Sequence, residues 1–485
     1  MAMSELEELQ GALAQVEARL AVEPEAVDLR VERAGLLAGL GRVEAAKQAY
    51  LEILHRDATH YTALNNLGAL LYETNFRTAA RTVFSQAVRH HPHEPRAHVN
   101  LANLLMYADE LVLAREHYET ALRLDPGNAQ AHQGLSALLH ETGEVEAMQR
   151  HRQLGFAAAP AQSRPYLGPG EPVPLLVLTS TPGGDIAWSK LVDDRVFAVT
   201  ALAAAFHDPA FSLPPHRLIF NAIGDADVSA SDLRAAEVLG ATSGAPVVNP
   251  PAKVLETGRV ANALRLNGLP GVVAPRTVLL AREALEGGAA AQALAREGLG
   301  FPVLLRSPGF HTGRHFVRVE EAAGLAAALS ALPGRELMAI RPLDARGPDG
   351  FARKYRVMLI GRRLYPLHLA VSRDWKVHYF TGAMNDAAFR AEEARFLAHT
   401  AEVLGARAMG ALHAIEGALG LDYAGVDFGL GAAGELLLFE ANATMNIIAP
   451  DASAQWDYRR PAVDAALAAA RGMLRGAAGV SVNAT

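Results

Sequence analysis

Through its first third the chain repeats a pattern every 34 residues, and that period constrains the architecture more than any other feature of the sequence. Leu64, Leu67, Gly68, Leu71, Ala80, Phe84, Ala87 and Pro92 recur one period later as His98, Leu101, Ala102, Leu105, Ala114, Tyr118, Ala121 and Pro126. One period earlier the same positions hold Arg30, Arg33, Ala34, Leu37, Ala46, Tyr50, Ile53 and Ala58, with Pro24 a further step back. Small residues recur where two helices must approach, large apolar ones where one helix fills the next, and proline closes the unit. No such unit buries its apolar face alone, so successive units stack into a solenoid with a concave surface.

The pattern resembles the tetratricopeptide repeat (TPR). The resemblance covers about residues 1–156 and is clearest over 27–126; a weaker unit follows with Leu135, Ser136 and Leu139 in register, expected to cap the stack. Asn66 and Asn100 share one repeat position, on the helix that lines the groove in this family. The resemblance implies a protein or peptide partner there, held by asparagine amides on its backbone, with Tyr72, Glu73, Arg96, Asn103 and Tyr107 as further groove candidates. The other reading makes both asparagines ordinary solvated or interhelical residues. His90, His91 and His93 read as solvated turn residues.

At 485 residues the chain exceeds one ordinary core, so several domains are expected. A formal net charge of −7 without a dense basic block gives no reason to expect nucleic acid as the main partner. The chain has no cysteine, which removes disulfides, thiolate zinc sites and thiol nucleophiles together. The opening MAMSELEELQGALAQVEARL lacks the basic start and apolar core of a signal peptide, and no apolar stretch approaches the length of a membrane span. A soluble, cytoplasmic protein with no membrane partner is expected. The sequons at Asn442 and Asn483 then read as chance matches.

Residues 157–172 are dense in Pro, Gly and Ala and read as a linker unable to sustain a helix or a central strand. Beyond it, LLVLTS (175–180), HRLIFNAIGDAD (216–227) and APVVNPP (245–251) alternate with helical patterns, which predicts α/β layering around a parallel sheet over 173–250. Further strands are expected within 272–280, 301–319 and 337–370, and a long helical stretch over 387–420.

The chemistry concentrates in YAGVDFGLGAAGELLLFEANATMNI (423–447). Asp427 lies in one strand, GAAG (431–434) makes a hairpin turn, and Glu440 and Asn442 alternate onto one face of the return strand. The hairpin sets Asp427 opposite them, so three oxygen donors converge as a hard-cation site. Asp, then Glu, then Asn at this spacing resembles the metal-binding end of the ATP-grasp superfamily, and most of all its carboxylate–amine ligases, such as D-alanine–D-alanine ligase and the glutamate-adding ligases. NPPAKVLETGR (249–259), VVAPRTVLL (272–280), FPVLLRSPGFHTG (301–313) and YRVMLIG (355–361) follow the family's order, and the likeness covers about residues 172–472.

The resemblance implies a multidomain chain: an all-α TPR solenoid (1–156), an α/β pre-ATP-grasp domain (173–250), two α+β ATP-grasp subdomains (251–335 and 336–474) and a tail (475–485). It implies ATP and Mg2+ as cofactors, with Asp427, Glu440 and Asn442 on the metal. Arg259 and Arg306 would meet phosphates, Gly309 and Gly313 would let a loop close on the nucleotide, and Asp344 is the candidate for its ribose. Arg356 and Arg306 would act on the transferred group. A carboxylate would become an acyl phosphate and be captured by an amine; both substrates are small molecules or peptides. Homodimers are common in both families. The chain departs from the ligase pattern in having arginine for lysine at 259 and 306, no evident hinge acid besides Asp344, and Gly425 where several ligases carry arginine. Those departures suit a second reading, a degenerate module acting as an adaptor. A third reading is a kinase-like relative that leaves a stable phosphorylated acceptor. The cluster of His368, Trp375, Lys376, His378 and Tyr379 suits either an acceptor site or a packed strand pair.

Overall fold

The computed structural model describes residues 5–74, 76–157, 160–168, 170–310, 313–377, 382–450 and 453–480. His378 and Tyr379 lie outside them. The chain forms two compact units. One comprises Met1–Leu175 with 193–202 and 206–208; the other comprises Leu176–Val192, Ala203–Ala205 and Pro209–Thr485. Among the described residues no helix is long and apolar enough to cross a membrane.

In the first unit the period becomes nine α-helices among the described residues: α1 (Glu5–Val22), α2 (Val27–Gly39), α3 (Val43–Arg56), α4 (Tyr61–Glu73), α5 (Arg77–His90), α6 (Pro95–Tyr107), α7 (Leu111–Leu124), α8 (Ala129–Thr142) and α9 (Val145–Phe156). The large recurring residues are the ones buried: Tyr50 and Tyr118 are 1% exposed and Phe84 is 2% exposed. Close approach explains the small ones. A Cβ placed on Gly68 would lie 2.5 Å from the Phe84 ring. Asn128 caps α8 by accepting from Ala131 N, and Gly143 ends it at φ 78°.

After α9, the expected linker contains a three-residue exposed strand, β1 (Ala161–Ser163), paired antiparallel with β3 (Phe197–Ala203). Proline-rich sequence excludes a central strand but not one this short beside a partner, and β3 itself carries no turn signal that would announce it.

The second unit contains mixed sheets. β2 (Val173–Thr179), which belongs to this unit from Leu176 on, lies beside β4 (Leu218–Asn221), which pairs in parallel with β5 (Val247–Val248). Helices α10 (Ala230–Ser243), α11 (Pro251–Leu255) and α12 (Arg259–Leu266) follow. The next sheet has the order β7 (Thr277–Ala281), β10 (Glu336–Ile340), β8 (Val303–Arg306), β9 (Phe316–Val319). Its core includes Val303, Leu305 and Leu337 with Leu294 of α13 (Ala290–Arg296) and Leu325 of α14 (Leu325–Ala331). The last sheet has the order β12 (Arg363–Ser372), β11 (Ala352–Ile360), β13 (Tyr423–Leu430), β14 (Leu436–Asn442), β6 (Val272–Val273). The remaining helices are α15 (Ala387–Ala398), α16 (Thr400–Leu419) and α17 (Arg460–Ala477).

The turn after β2 holds a half-buried carboxyl group. Ser180 N donates to both oxygens of Asp185, at 2.9 and 3.2 Å, and Ser180 Oγ donates to Gly183 O at 2.7 Å. Burial pushes the Asp185 carboxyl up to about 7. Such a group contributes stability that is complete below the ordinary carboxyl pKa of about 4 and is lost as pH rises through 7. Asp185→Asn, uncharged throughout, is therefore expected to be more stable than the parent at pH 8. Urea midpoints at pH 5 and 8 check this; equal differences at both would refute it.

Candidate functional site

Strand register builds the site in the second unit. His368 on β12 stands opposite Arg356 on β11, Arg356 opposite Asp427 on β13, and Asp427 opposite Glu440 on β14. Four ionisable side chains thus form one row across four neighbouring strands. Asn442, paired with Gly425, comes next along β14 and donates from Nδ2 to Glu440 Oε1 at 2.9 Å. The expected hairpin is present, with a register shift between Asp427 and Phe428. Asn442 Oδ1 accepts from Thr444 N and Oγ1 at 3.1 and 2.9 Å.

Cations occupy both carboxylates. Arg356 grips Asp427 in bidentate fashion, Nε to Oδ1 at 2.6 Å and Nη2 to Oδ2 at 2.8 Å, and Lys354 Nζ adds a contact to Oδ2 at 3.1 Å. Burial alone would raise the Asp427 carboxyl; the charges of Arg356 and Lys354 hold it well below the usual range. Burial, with the charge of Arg356, drives His368 far below the usual histidine range, so its ring is neutral.

Arg259 opens α12 and reaches across to the row. Its Nη2 donates to Glu440 Oε1 at 2.6 Å and its Nη1 to Asp227 Oδ2 at 2.9 Å, with Asp225 Oδ2 at 3.5 Å. Asn262, one turn on, donates to Ala441 O at 2.6 Å and holds β14 in place. Arg306 ends β8, donates from Nη2 to Phe310 O, and lies 5.6 Å from the Phe316 ring centroid. Burial and the nearby Arg259 bring the Arg306 guanidinium down to about 10. Gly309 and Gly313 stand at φ 84° and 74° in the loop after Arg306. Lys376 packs against Gly313, and Trp375 meets Phe316 edge-on at 5.2 Å.

Not every expected residue joins this group. Asp344 is exposed and pairs with Arg346 at 2.6 Å. Gly425 leaves no room for a side chain, since a Cβ there would lie 2.7 Å from Met445 Sδ and 3.0 Å from Met358 Sδ. In the first unit Asn100 Nδ2 donates to Asn65 Oδ1 at 2.8 Å and Asn66 Nδ2 to Tyr50 Oη at 3.4 Å. Both amides therefore engage neighbouring helices. Tyr72 and Tyr107 are exposed, and Arg77 stacks 3.4 Å from the Tyr107 ring centroid.

Sequence reasoning passed over Lys354, Asp225 and Asp227. Lys354 is two residues from Arg356 on one strand, a spacing that alternation could have used. The two aspartates stand in a turn whose position opposite α12 no local pattern encodes.

Of Asp427, Glu440 and Asn442, the two carboxylates are hard oxygens of the kind magnesium takes, whereas Asn442 turns its Nδ2 to Glu440 and its Oδ1 to Thr444. Among the described residues, no three Asp, Glu or His side chains gather as a metal group. The set offers two carboxylates and one amide. The buried Nε atoms of Arg259 and Arg306 lack a hydrogen-bond partner among the described residues, a capacity that phosphate oxygens suit.

A tetratricopeptide-repeat family model matches residues 65–129 and 101–147. No curated protein matches the chain. Similar solved structures include MamA from Desulfovibrio magneticus, 22% identical over 30% of this chain and 81% of that one, at TM-score 0.27. PilF of Pseudomonas aeruginosa is 21% identical over 31% of this chain and 68% of that one, at TM-score 0.29. YrrB, a TPR protein with an unusual peptide-binding site, is 18% identical over 30% and 75%, at TM-score 0.27. The family match and the stacked helical hairpins together establish that the N-terminal part of this chain carries tetratricopeptide repeats.

Proposed function

We propose that the second unit is an ATP-grasp ligase that activates a carboxylate as an acyl phosphate and couples it to an amine. The repeats dock a peptide, a carrier or a partner protein. The observation that carries this reading is the pairing of Asp427 with Glu440 across β13 and β14, with Asn442 bonded to Glu440. Asp427, Glu440 and Asn442 would hold magnesium, which supplies charge neutralisation between the terminal phosphates of bound ATP. Arg259 and Arg306 bind phosphate oxygens through guanidinium edges that are buried and only partly engaged. Arg356, fixed by Asp427, orients the transferred group. Catalysis here is positioning and electrostatics, since neither substrate requires a protein nucleophile.

A second reading has one observation in its favour. Arg356 and Lys354 already saturate both oxygens of Asp427, and Arg259 engages Glu440. A module neutralised in this way serves as an adaptor that no longer turns over ATP.

Calorimetric titration of ATP into the full chain, with and without magnesium, separates the two. The full chain is required because residues 193–202 belong to the first unit, so a fragment starting near 172 would strip them of their packing. Magnesium-dependent binding followed by phosphate release with carboxylate and amine substrates is the expected result. Absence of binding by the folded protein would leave the adaptor.

A further inference from the structure

Two histidine pairs occupy equivalent places in successive repeats. His98 Nδ1 on α6 lies 2.9 Å from His117 Nδ1 on α7, and His132 Nδ1 on α8 lies 2.8 Å from His151 Nδ1 on α9. Both members recur at the 34-residue period. His98 and His132 are buried, at 5% and 6% exposure. Their Nε2 atoms each lie 3.0 Å from a carbonyl, that of Pro92 and that of Pro126.

These contacts settle the tautomers. A carbonyl only accepts, so Nε2 of His98 and of His132 carries the hydrogen and Nδ1 of each neutral ring is an acceptor. The hydrogen between the two Nδ1 atoms must then come from His117 and from His151. Each pair is therefore a directed relay in which the outer histidine donates to the inner one and the inner one donates to the proline carbonyl.

A shared metal ion is the competing explanation for two close imidazole nitrogens. Ring centroids stand 5.2 Å apart in the first pair and 5.0 Å in the second. With the nitrogens under 3 Å apart, the nitrogen–nitrogen line runs nearly through both ring centres. Two rings converging on one metal would bend toward each other and bring the centroids closer. The geometry is that of a hydrogen bond.

We infer that the two histidine pairs form an acid-sensitive latch, in which a second proton on either pair sets two N–H groups head to head and unfastens the helices that the pair joins. One proton per pair is tolerated, on the Nε2 of the outer ring, which has no hydrogen-bond partner among the described residues. Arg123 faces His98, while Glu116 faces His117. Arg150 and Arg115 face His151 and Glu119 opposes them. Burial is the main cause that lowers His98, His117 and His151 below the usual histidine range. Folded pKa values below the unfolded one mean that this stability is present above about pH 6.5 and is lost as pH falls from there. Each pair holds one proton where two separated imidazoles hold two, so unfolding takes up at least two more. The unfolding constant of the repeats should then rise about 100-fold for each pH unit once the unfolded imidazoles are charged.

The test is urea unfolding of the full chain, followed by helical circular dichroism from pH 7.5 to 5, beside a His98→Gln, His132→Gln variant. Glutamine keeps a donor for the proline carbonyl and an acceptor for the outer histidine but cannot take the proton. The parent's repeat transition should weaken steeply across this range and the variant's should be much flatter. A parent transition indifferent to pH, or an equally steep variant, would overturn the latch. Nitrogen-15 imidazole spectra of the parent at pH 7.5 read the same point without any substitution. Nε2–H on His98 and His132 with Nδ1–H on His117 and His151 supports the latch, and Nε2–H on all four contradicts it.

Discussion

On the ligase reading, replacing Glu440 with glutamine is expected to lower ATP turnover roughly 10²-fold while leaving the protein folded. The carboxylate is partly exposed and its neighbours are hydrogen-bond donors, Arg259 and Asn442, which a glutamine oxygen still satisfies. What disappears is the charge that would hold magnesium. Asp427→Asn should behave differently. Asp427 is 3% exposed and carries both Arg356 and Lys354. Removing its charge leaves two half-buried cations without their partner, so a loss of about 1–3 kcal/mol of stability is expected alongside the loss of turnover. Phosphate release and urea midpoints measured on both variants would separate the roles. Near-parental turnover by Glu440→Gln would sink the metal assignment, and an unchanged midpoint for Asp427→Asn would show that the ion pair is not structural.

Phe84→Ala is expected to cost about 3–5 kcal/mol. The ring is 2% exposed and seals α5 against Gly68 of α4, in the same cluster as Val99, Leu101 and Leu105 of α6. A solenoid distributes stability between neighbours, so the loss should appear as early melting of the central repeats and not as a uniform shift. Gly68→Ala destabilises for the complementary reason, because its new methyl would press on the ring. Combined, the two should cost less than their sum, since the cavity left by Phe84 admits the methyl. Strict additivity in that double-mutant cycle, read by helical circular dichroism in urea, would contradict the packing.

How much could be read in advance varied with how local the signal was. The repeats were legible because each unit restates its own helix contacts. Tyr50, Phe84 and Tyr118 announce their partners one helix away, and Pro24, Pro92 and Pro126 mark boundaries. The hairpin bearing Asp427, Glu440 and Asn442 was legible for the same reason, since a glycine-rich turn between two apolar strands sets its own register. The short strand β1 and its partner β3 were not. Their pairing joins segments more than thirty residues apart, and β1 has only three residues, too few to mark a strand by itself.

The sequence by itself determined the helical solenoid, the separation of oxygen donors along β13 and β14, and the absence of any thiol chemistry. The tertiary structure decided which charges meet. Arg356 and Lys354 reach Asp427 only because β11 lies beside β13, and Arg259 reaches Glu440 only because the start of α12 faces the end of β14. It also decided that Asp344 stands apart beside Arg346, that Asn100 turns to Asn65, and that four histidines meet as two pairs. Periodicity encodes which face of an element is apolar, through contacts a few residues apart. Ion pairs and hydrogen bonds depend on ångström-scale placement of side chains from distant elements, which only the packed core provides.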